Sequence, residues 1–361
     1  MARILYGVAG EGFGHCSRAH LIGQHLLQAG HEVMFVGFAK SPLYLRPIFG
    51  ERVKEILGLS FAYRNGRIDK GKTLAWNLRR FPGIVRANRG FFRSQVEGFA
   101  PDVVLSDFEP FSAWWARRNG VPLVSVDNEH LLTHCRVEHA PGQLVSRLTA
   151  AWVTRAYAFR ADAYVILSFF DAPVTRRSVL LAPPVVRSLV TELRPSEGDY
   201  LVVYVSTGQG RESWLEVLRG FPMWRFHVYG FDQDTGHGNC VLKARSTEGF
   251  LRDMAGSRGV IASAGFSLVS ECMALRKRML LIPVAGQYEQ LLNARAVERL
   301  GLGTWDPHLS PAALSRFLDR LDRPLGEGPG ILWPDNERFL SVLQTALAGL
   351  PVSVERGLGR A

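Results

Sequence analysis

The stretch Ile261-Ala262-Ser263-Ala264-Gly265-Phe266-Ser267-Leu268-Val269-Ser270-Glu271 restricts most what this chain can fold into. Gly259 to Ala262 is an apolar run and reads as a short buried strand. Small residues follow, Ser263-Ala264-Gly265, and then Leu268, Cys272 and Leu275 fall at near-helical spacing. A strand, a small-residue turn and a helix start make an anion site. The first N–H groups of a helix have no partner inside it, and they carry the positive end of its dipole. Gly265 lets the backbone come close to a phosphate. Glu271 adds a carboxylate one turn further in, and Arg276-Lys277-Arg278 suits a helix C-terminus. Met279 to Ile282 is the next expected strand, with Pro283, Glu289-Gln290 and Asn293 beyond it. The same pattern also fits an ordinary βαβ unit with no ligand.

At 361 residues the chain is long for one core, and two domains are expected. The polar run from Thr191 to Asp199, with Pro195 and Gly198, is the expected linker. That places one domain at 1–190 and a second at 199–335. Residues 336–361 become a helix and tail that return to the first. Strands and helices alternate in both halves, the mark of doubly wound α/β domains. The four cysteines are scattered without CxxC spacing, which points to a reducing compartment with neither disulfides nor zinc. No apolar run reaches the roughly 18 residues of a spanning helix, and Ile4 to Val8 is cut off by Glu11 too soon for a signal peptide. A cytoplasmic protein is expected.

In the first half, a strand over residues 2–9 runs into Gly10-Glu11-Gly12-Phe13-Gly14-His15-Cys16-Ser17-Arg18, followed by a helix from about Ser17 to Ala29. Gly10-x-Gly12 invites a dinucleotide reading. The third fingerprint position is His15, however, and Gly37-Phe38-Ala39 lacks the acid that grips a ribose. Asp107 ends the strand Pro101–Asp107, where ligands gather in open sheets. It is equally placed to cap a helix Phe108–Asn119. Asp127-Asn128-Glu129-His130 is a polar cluster at the next strand end, and neither it nor His134 and His139 has metal-ligand spacing. Ala182 to Arg187 reads as the last strand of the first domain. The second opens with Tyr200 to Val205 and a small-residue loop, Ser206-Thr207-Gly208-Gln209-Gly210.

Small-residue turn, Glu271, Pro283, Glu289-Gln290 and Asn293, in that order at the ends of two successive strands, resemble the donor-binding half of GT-B nucleotide-sugar glycosyltransferases. The likeness is to UDP-glycosyltransferases and to the GlcNAc transferase of peptidoglycan lipid synthesis. In the first half it is carried mainly by Gly14-His15. The resemblance implies two Rossmann-like domains facing a cleft. It also implies an inverting, metal-independent transfer from a UDP-sugar, with no cofactor. It assigns the donor diphosphate to Ala264, Gly265, Phe266 and Ser267 and to Ser206, Thr207 and Gly208. It gives ribose hydroxyls to Glu271 and sugar hydroxyls to Glu289-Gln290 with Asn293, and it places Phe250 near the uracil. The His matching His15 is the general base in many such enzymes, a task suited to a pKa near neutrality. A purely structural helix-start histidine is the alternative. Asp107 is its candidate partner and Glu11 a substitute acid. Asp232-Gln233-Asp234 matches a metal–diphosphate motif of a different fold and reads as a turn here.

From Arg64 to Arg93 there are nine Lys/Arg and one acid, Asp69. Such a block faces an anion or is a solvated helix face. A lipid-linked or anionic acceptor at a membrane surface fits it, with Trp76, Phe91 or Phe92 entering the interface. Helical spacing runs from Thr73 to Glu97 with a break expected near Pro82-Gly83. Nucleic acid is not expected, since no RNA-binding module motif occurs. The alternatives are a nucleotide-sugar epimerase of the same fold and a non-catalytic basic module binding RNA or lipid.

Overall fold

The computed structural model describes residues 1–350 apart from 11, 60–62, 65, 66, 69, 159, 206–210, 232 and 233. Val103–Asp107 and Leu123–Asp127 are buried at every position, as parallel strands covered on both faces by helices must be. The first sheet runs Val53–Glu55, Glu32–Gly37, Arg3–Val8, Val103–Asp107, Leu123–Asp127, Ala163–Leu167, Val179–Ala182, all parallel. The second runs Thr235–His237, Cys240–Lys243, Arg225–Tyr229, Tyr200–Tyr204, Gly259–Ala262, Met279–Leu281, Gly303–Trp305, with only the outer Thr235–His237 antiparallel. This is the GT-B architecture.

Each sheet has one point where its connections change direction. In the first it lies between Arg3–Val8 and Val103–Asp107, in register Val8 with Asp107. In the second it lies between Tyr200–Tyr204 and Gly259–Ala262, in register Tyr204 with Ala262. Loops leaving the two strands part there and open a crevice. The His15 loop and Asp107 stand at the first crevice, and the turn 263–265 at the second.

The chain leaves the first sheet through a helix at Ser188–Glu192 and returns after residue 330, where Leu332 N donates to Phe169 O and Asp335 N to Pro184 O. Asp335 caps helix Asn336–Ala348 by accepting from Arg338 N. Phe339, Leu343 and Ala346 form its buried stripe, and it packs beside Ala163–Leu167 and Val179–Ala182.

Three local expectations need correction. The last strand of the first sheet is Val179–Ala182; Pro183 and Pro184 cannot donate to a ladder and end it. The first helix starts at Phe13, so His15 lies inside it. The helix Lys70–Phe91 continues through Pro82, and its irregularity comes later, as a π-turn at Phe92–Val96. The buried residues explain the π-turn. Ile84, Asn88, Phe92 and Val96 repeat every four residues, wider than the 3.6 of an α-helix. The stripe drifts, and a wider π-turn brings Val96 back onto it. Asn88 fixes this face by accepting from Leu57 N and donating to Leu57 O. Phe92 is therefore buried against Trp115, and of the three aromatics expected at an interface Trp76 is the exposed one.

Candidate functional site

Gly12, with φ 91, turns the chain from the first strand into helix Phe13–Gln28 in a conformation that disfavours a side chain. His15 and Arg18 follow at i and i+3 on one helix face. Both meet Asp107, which is fully buried at its strand end. His15 Nδ1 lies 2.6 Å from Asp107 Oδ1, and Arg18 Nε donates to Oδ2 at 2.7 Å. A carboxylate only accepts, so the imidazole proton sits on Nδ1 and Nε2 keeps its lone pair. The helix after Asp107 is Pro110–Asn119, and Glu109 caps it by accepting from Phe111 N and Ser112 N. Asp107 is thereby free of capping and turned to His15.

Burial pulls the His15 pKa down. The Asp107 carboxylate and its hydrogen bond outweigh that, Glu129 adds to them, and the net shift is upward. Glu129 Oε1 is 3.7 Å from His15 Nε2, beyond a direct hydrogen bond. Its Oε2 accepts from Asn128 N. Burial raises the Glu129 pKa, His15 opposes this, and nearby Asp127 and Glu289 add to the rise, to about 8. Behind it Asp127 is pushed the other way, to about 2: burial opposes, but the His130 charge and hydrogen bonds from His130 and Ser125 hold it ionised.

An acid whose folded pKa exceeds its unfolded value stabilises the fold fully below the unfolded pKa and loses that contribution as pH rises through the folded one. Glu129 should therefore drain stability between about pH 4.5 and 8. Glu129→Gln should gain melting temperature relative to the natural protein steadily across that window. A constant difference from pH 5 to 8.5 would contradict the burial of this carboxyl.

The second sheet reaches the same place. Gly14 touches Ser267, and any Cβ at 14 would collide with the Ser267 hydroxyl. Ser267 lies in the first turn of helix Phe266–Ala274, whose N-cap Gly265 supplies no side-chain cap. Glu289 Oε1 accepts from Asn128 Nδ2 of the first half at 3.0 Å and from Asn293 Nδ2 at 3.1 Å, and Asn293 also donates to Ala264 O. Burial raises the Glu289 pKa against the pull of Asn293 and His15. Glu271 is gripped from the other half: Arg187 Nε donates to Oε1 at 2.6 Å and Nη2 to Oε2 at 2.8 Å. About two lone-pair sites of that carboxylate remain for further donors.

His15, Asp107, Glu289 and Asn293 are thus brought together, with Gly265, Phe266 and Ser267 beside them and Glu271 one turn further along the same helix. Two expected residues have contacts within their own half. Gln290 braces its own turn, accepting from Val284 N and donating to Gln287 Oε1. Phe250 lies in the core between Tyr204 and Tyr229, and its N–H donates to Ser246 O. Asp234 accepts from Ala244 N and serves a turn. Glu11, Ser206, Thr207, Gly208 and Asp232 lie outside the described residues. Sequence reasoning did not single out Arg18 and Arg187, and it gave Asn128 and Glu129 only as part of a polar cluster without assigned roles. Arg18 had a signal in its i+3 spacing from His15, and Asn128-Glu129 in their polar run at a strand end. Arg187, far from Glu271 in sequence, had none.

Two Rossmann-like sheets with a histidine–carboxylate pair facing a bare helix start define a GT-B glycosyltransferase. The chain belongs to the family described as Glycosyl transferase family 1, whose pattern matches residues 2–322. It is 23% identical over 348 residues to an uncharacterized glycosyltransferase of Methanosarcina acetivorans, covering 86% of each chain. Among solved structures it resembles LpCGTa in complex with UDP (TM-score 0.61, 16% identity, 98% of this chain and 97% of that one). It also resembles Acinetobacter baumannii MurG (TM-score 0.56, 13% identity, 98% and 97%).

Proposed function

We propose that the protein moves a sugar from a UDP-sugar to an acceptor hydroxyl with inversion and without a metal. Residues 1–190 would receive the acceptor and 199–335 the donor. The observation that carries this reading is the contact of Gly14 with Ser267, which sets His15 beside the uncapped helix start. His15 Nε2 takes the proton of the acceptor hydroxyl, while Asp107 holds the ring and balances the imidazolium. The oxygen attacks the anomeric carbon from the face opposite UDP. Charge then grows on the β-phosphate, and the N–H groups at 265–267 already point to where it appears, so little reorganisation is needed. Glu271 takes ribose hydroxyls with the lone pairs Arg187 leaves, and Glu289 takes sugar hydroxyls. The UDP-bound relative supports the choice of nucleotide.

Calorimetry with UDP tests the reading. The natural protein should bind, and Glu271→Ala should lose about 1.5–3 kcal/mol, the range for hydrogen bonds to a charged group. No heat with UDP, or equal affinity in the folded variant, would end the assignment.

For the acceptor, we propose peripheral contact with an anionic membrane on the cytoplasmic side. Support comes from exposed Lys72, Arg79, Arg80, Arg86, Arg89 and Arg93 around exposed Trp76, Leu78 and Phe81, and among the described residues no helix is long and apolar enough to span. Lys/Arg near such a surface contribute about 1 kcal/mol each. Changing Arg79, Arg80, Arg86 and Arg89 to Glu should abolish sedimentation with phosphatidylserine vesicles and leave UDP affinity unchanged. Undiminished sedimentation would refute it.

A further inference from the structure

We infer that Phe108 and Glu129 form an acceptor subsite for a saturated, hydroxylated ring, a carbohydrate-type face with two neighbouring hydroxyls. This rests on the reading of His15 as the base, and it specifies what His15 acts on.

Phe108 immediately follows Asp107 and has φ 53, a left-handed backbone that costs a bulky residue strain and that the chain would avoid with glycine or asparagine. Strain of this kind persists where the surroundings require it, often at binding sites. What the conformation achieves is visible. The Phe108 ring lies parallel to the His15 imidazole, 10° apart with centroids at 6.3 Å, and it also meets the Tyr157 ring at 4.6 Å. The ring is only half-buried, so it ends as a wall beside the imidazole rather than as core.

The parallel planes select a ligand shape. A saturated ring laid on Phe108 is also parallel to the imidazole. Its equatorial hydroxyls then project parallel to the imidazole plane, which contains the Nε2 lone pair. On the far side of Nε2 stands Glu129 Oε1, separated by 3.7 Å. That gap is too wide for a direct bond and suits two adjacent hydroxyls, one giving its proton to Nε2 and the next bonding Oε1. A phenol would stack on Phe108 but would offer no second hydroxyl to Glu129 Oε1.

Saturation-transfer NMR in the presence of UDP tests this with methyl glycosides of gluco, galacto, manno and N-acetylglucosamine configuration, against phenol and cyclohexanol. At least one glycoside should receive saturation on one ring face, and the two controls should receive much less. Phe108→Gly and Glu129→Leu should each weaken that glycoside by about tenfold, the size of one lost stacking contact or one lost polar contact. UDP affinity, measured alongside, should stay within a factor of two. Phe108→Gly should also hold or raise the melting temperature, because glycine relieves the left-handed backbone; a ring serving only packing would lower it. Glu129→Gln, which keeps the shape and a polar oxygen, should retain part of the binding. Glycoside signals absent from the natural protein, or undiminished in both variants, would overturn the subsite. Loss of UDP binding by the natural protein would instead strike the donor reading.

Discussion

His15→Ala should lower the transfer rate by about 10²–10⁴-fold, the usual contribution of a general base, while UDP affinity stays unchanged. The split follows from position. His15 sits on the first half with Nε2 toward Glu129, whereas the expected donor contacts come from the helix start at 265–267 and from Glu271. The pH profile adds a signed test. The base works only when neutral, and the net shift of His15 is upward, so activity should fall on the acid side above the ordinary histidine value. Asp107→Asn removes the partner responsible and should move that limb to lower pH as well as reduce the rate. Near-normal turnover in His15→Ala would assign the base elsewhere, with Glu129 the next residue to replace.

How much of this site could be read in advance depended on how local each signal was. The turn at 263–267 was legible because strand, small residues and helix start are contiguous, and the phosphate-binding argument needs nothing from outside that stretch. The first βαβ unit was legible for the same reason. Asp107 was ambiguous, because a carboxylate at a strand end can cap the next helix or face the crevice. Glu109 removes the ambiguity, and only the folded backbone shows that the helix begins late enough for it to be the cap. The contacts of Gln290 and Phe250 were not legible because a motif gives order along the chain and not direction in space. One helix turn decides whether a side chain faces the cleft or its own loop. Arg187 and Asn128 meet Glu271 and Glu289 across the two sheets, and no periodicity in either half encodes such a meeting. The Pro82 break failed differently. The stripe Ile84, Asn88, Phe92, Val96 holds the helix to the first sheet beyond the proline, and that tertiary packing outweighs the local penalty.

Arg18→Met should destabilise the fold by about 3 kcal/mol, near the low end for breaking a buried ion pair. Arg18 is 3% exposed and Asp107 fully buried, and the guanidinium reaches both carboxylate oxygens, with a longer contact to Asn128 Oδ1 at 3.5 Å. Removing it leaves a charge in the interior whose desolvation is no longer compensated. The low end applies because His15 Nδ1 still donates to Asp107. Burying a pair is seldom the most stable arrangement, so Arg18→Met combined with Asp107→Leu should recover much of the loss, since no charge is then left alone. Activity should be absent in the double variant, because the imidazole has lost its anchor, and reduced in Arg18→Met, where Asp107 keeps His15 but is no longer held by the guanidinium. Denaturant titrations of the three proteins, read alongside turnover, separate the roles. A single variant as stable as the natural protein would mean that the pair is solvated. A double variant less stable than the single would mean that Asp107 holds the fold by itself. A reduced rate in folded Arg18→Met, with stability recovered in the double variant, makes Arg18 a positioning residue that aims Asp107 at His15.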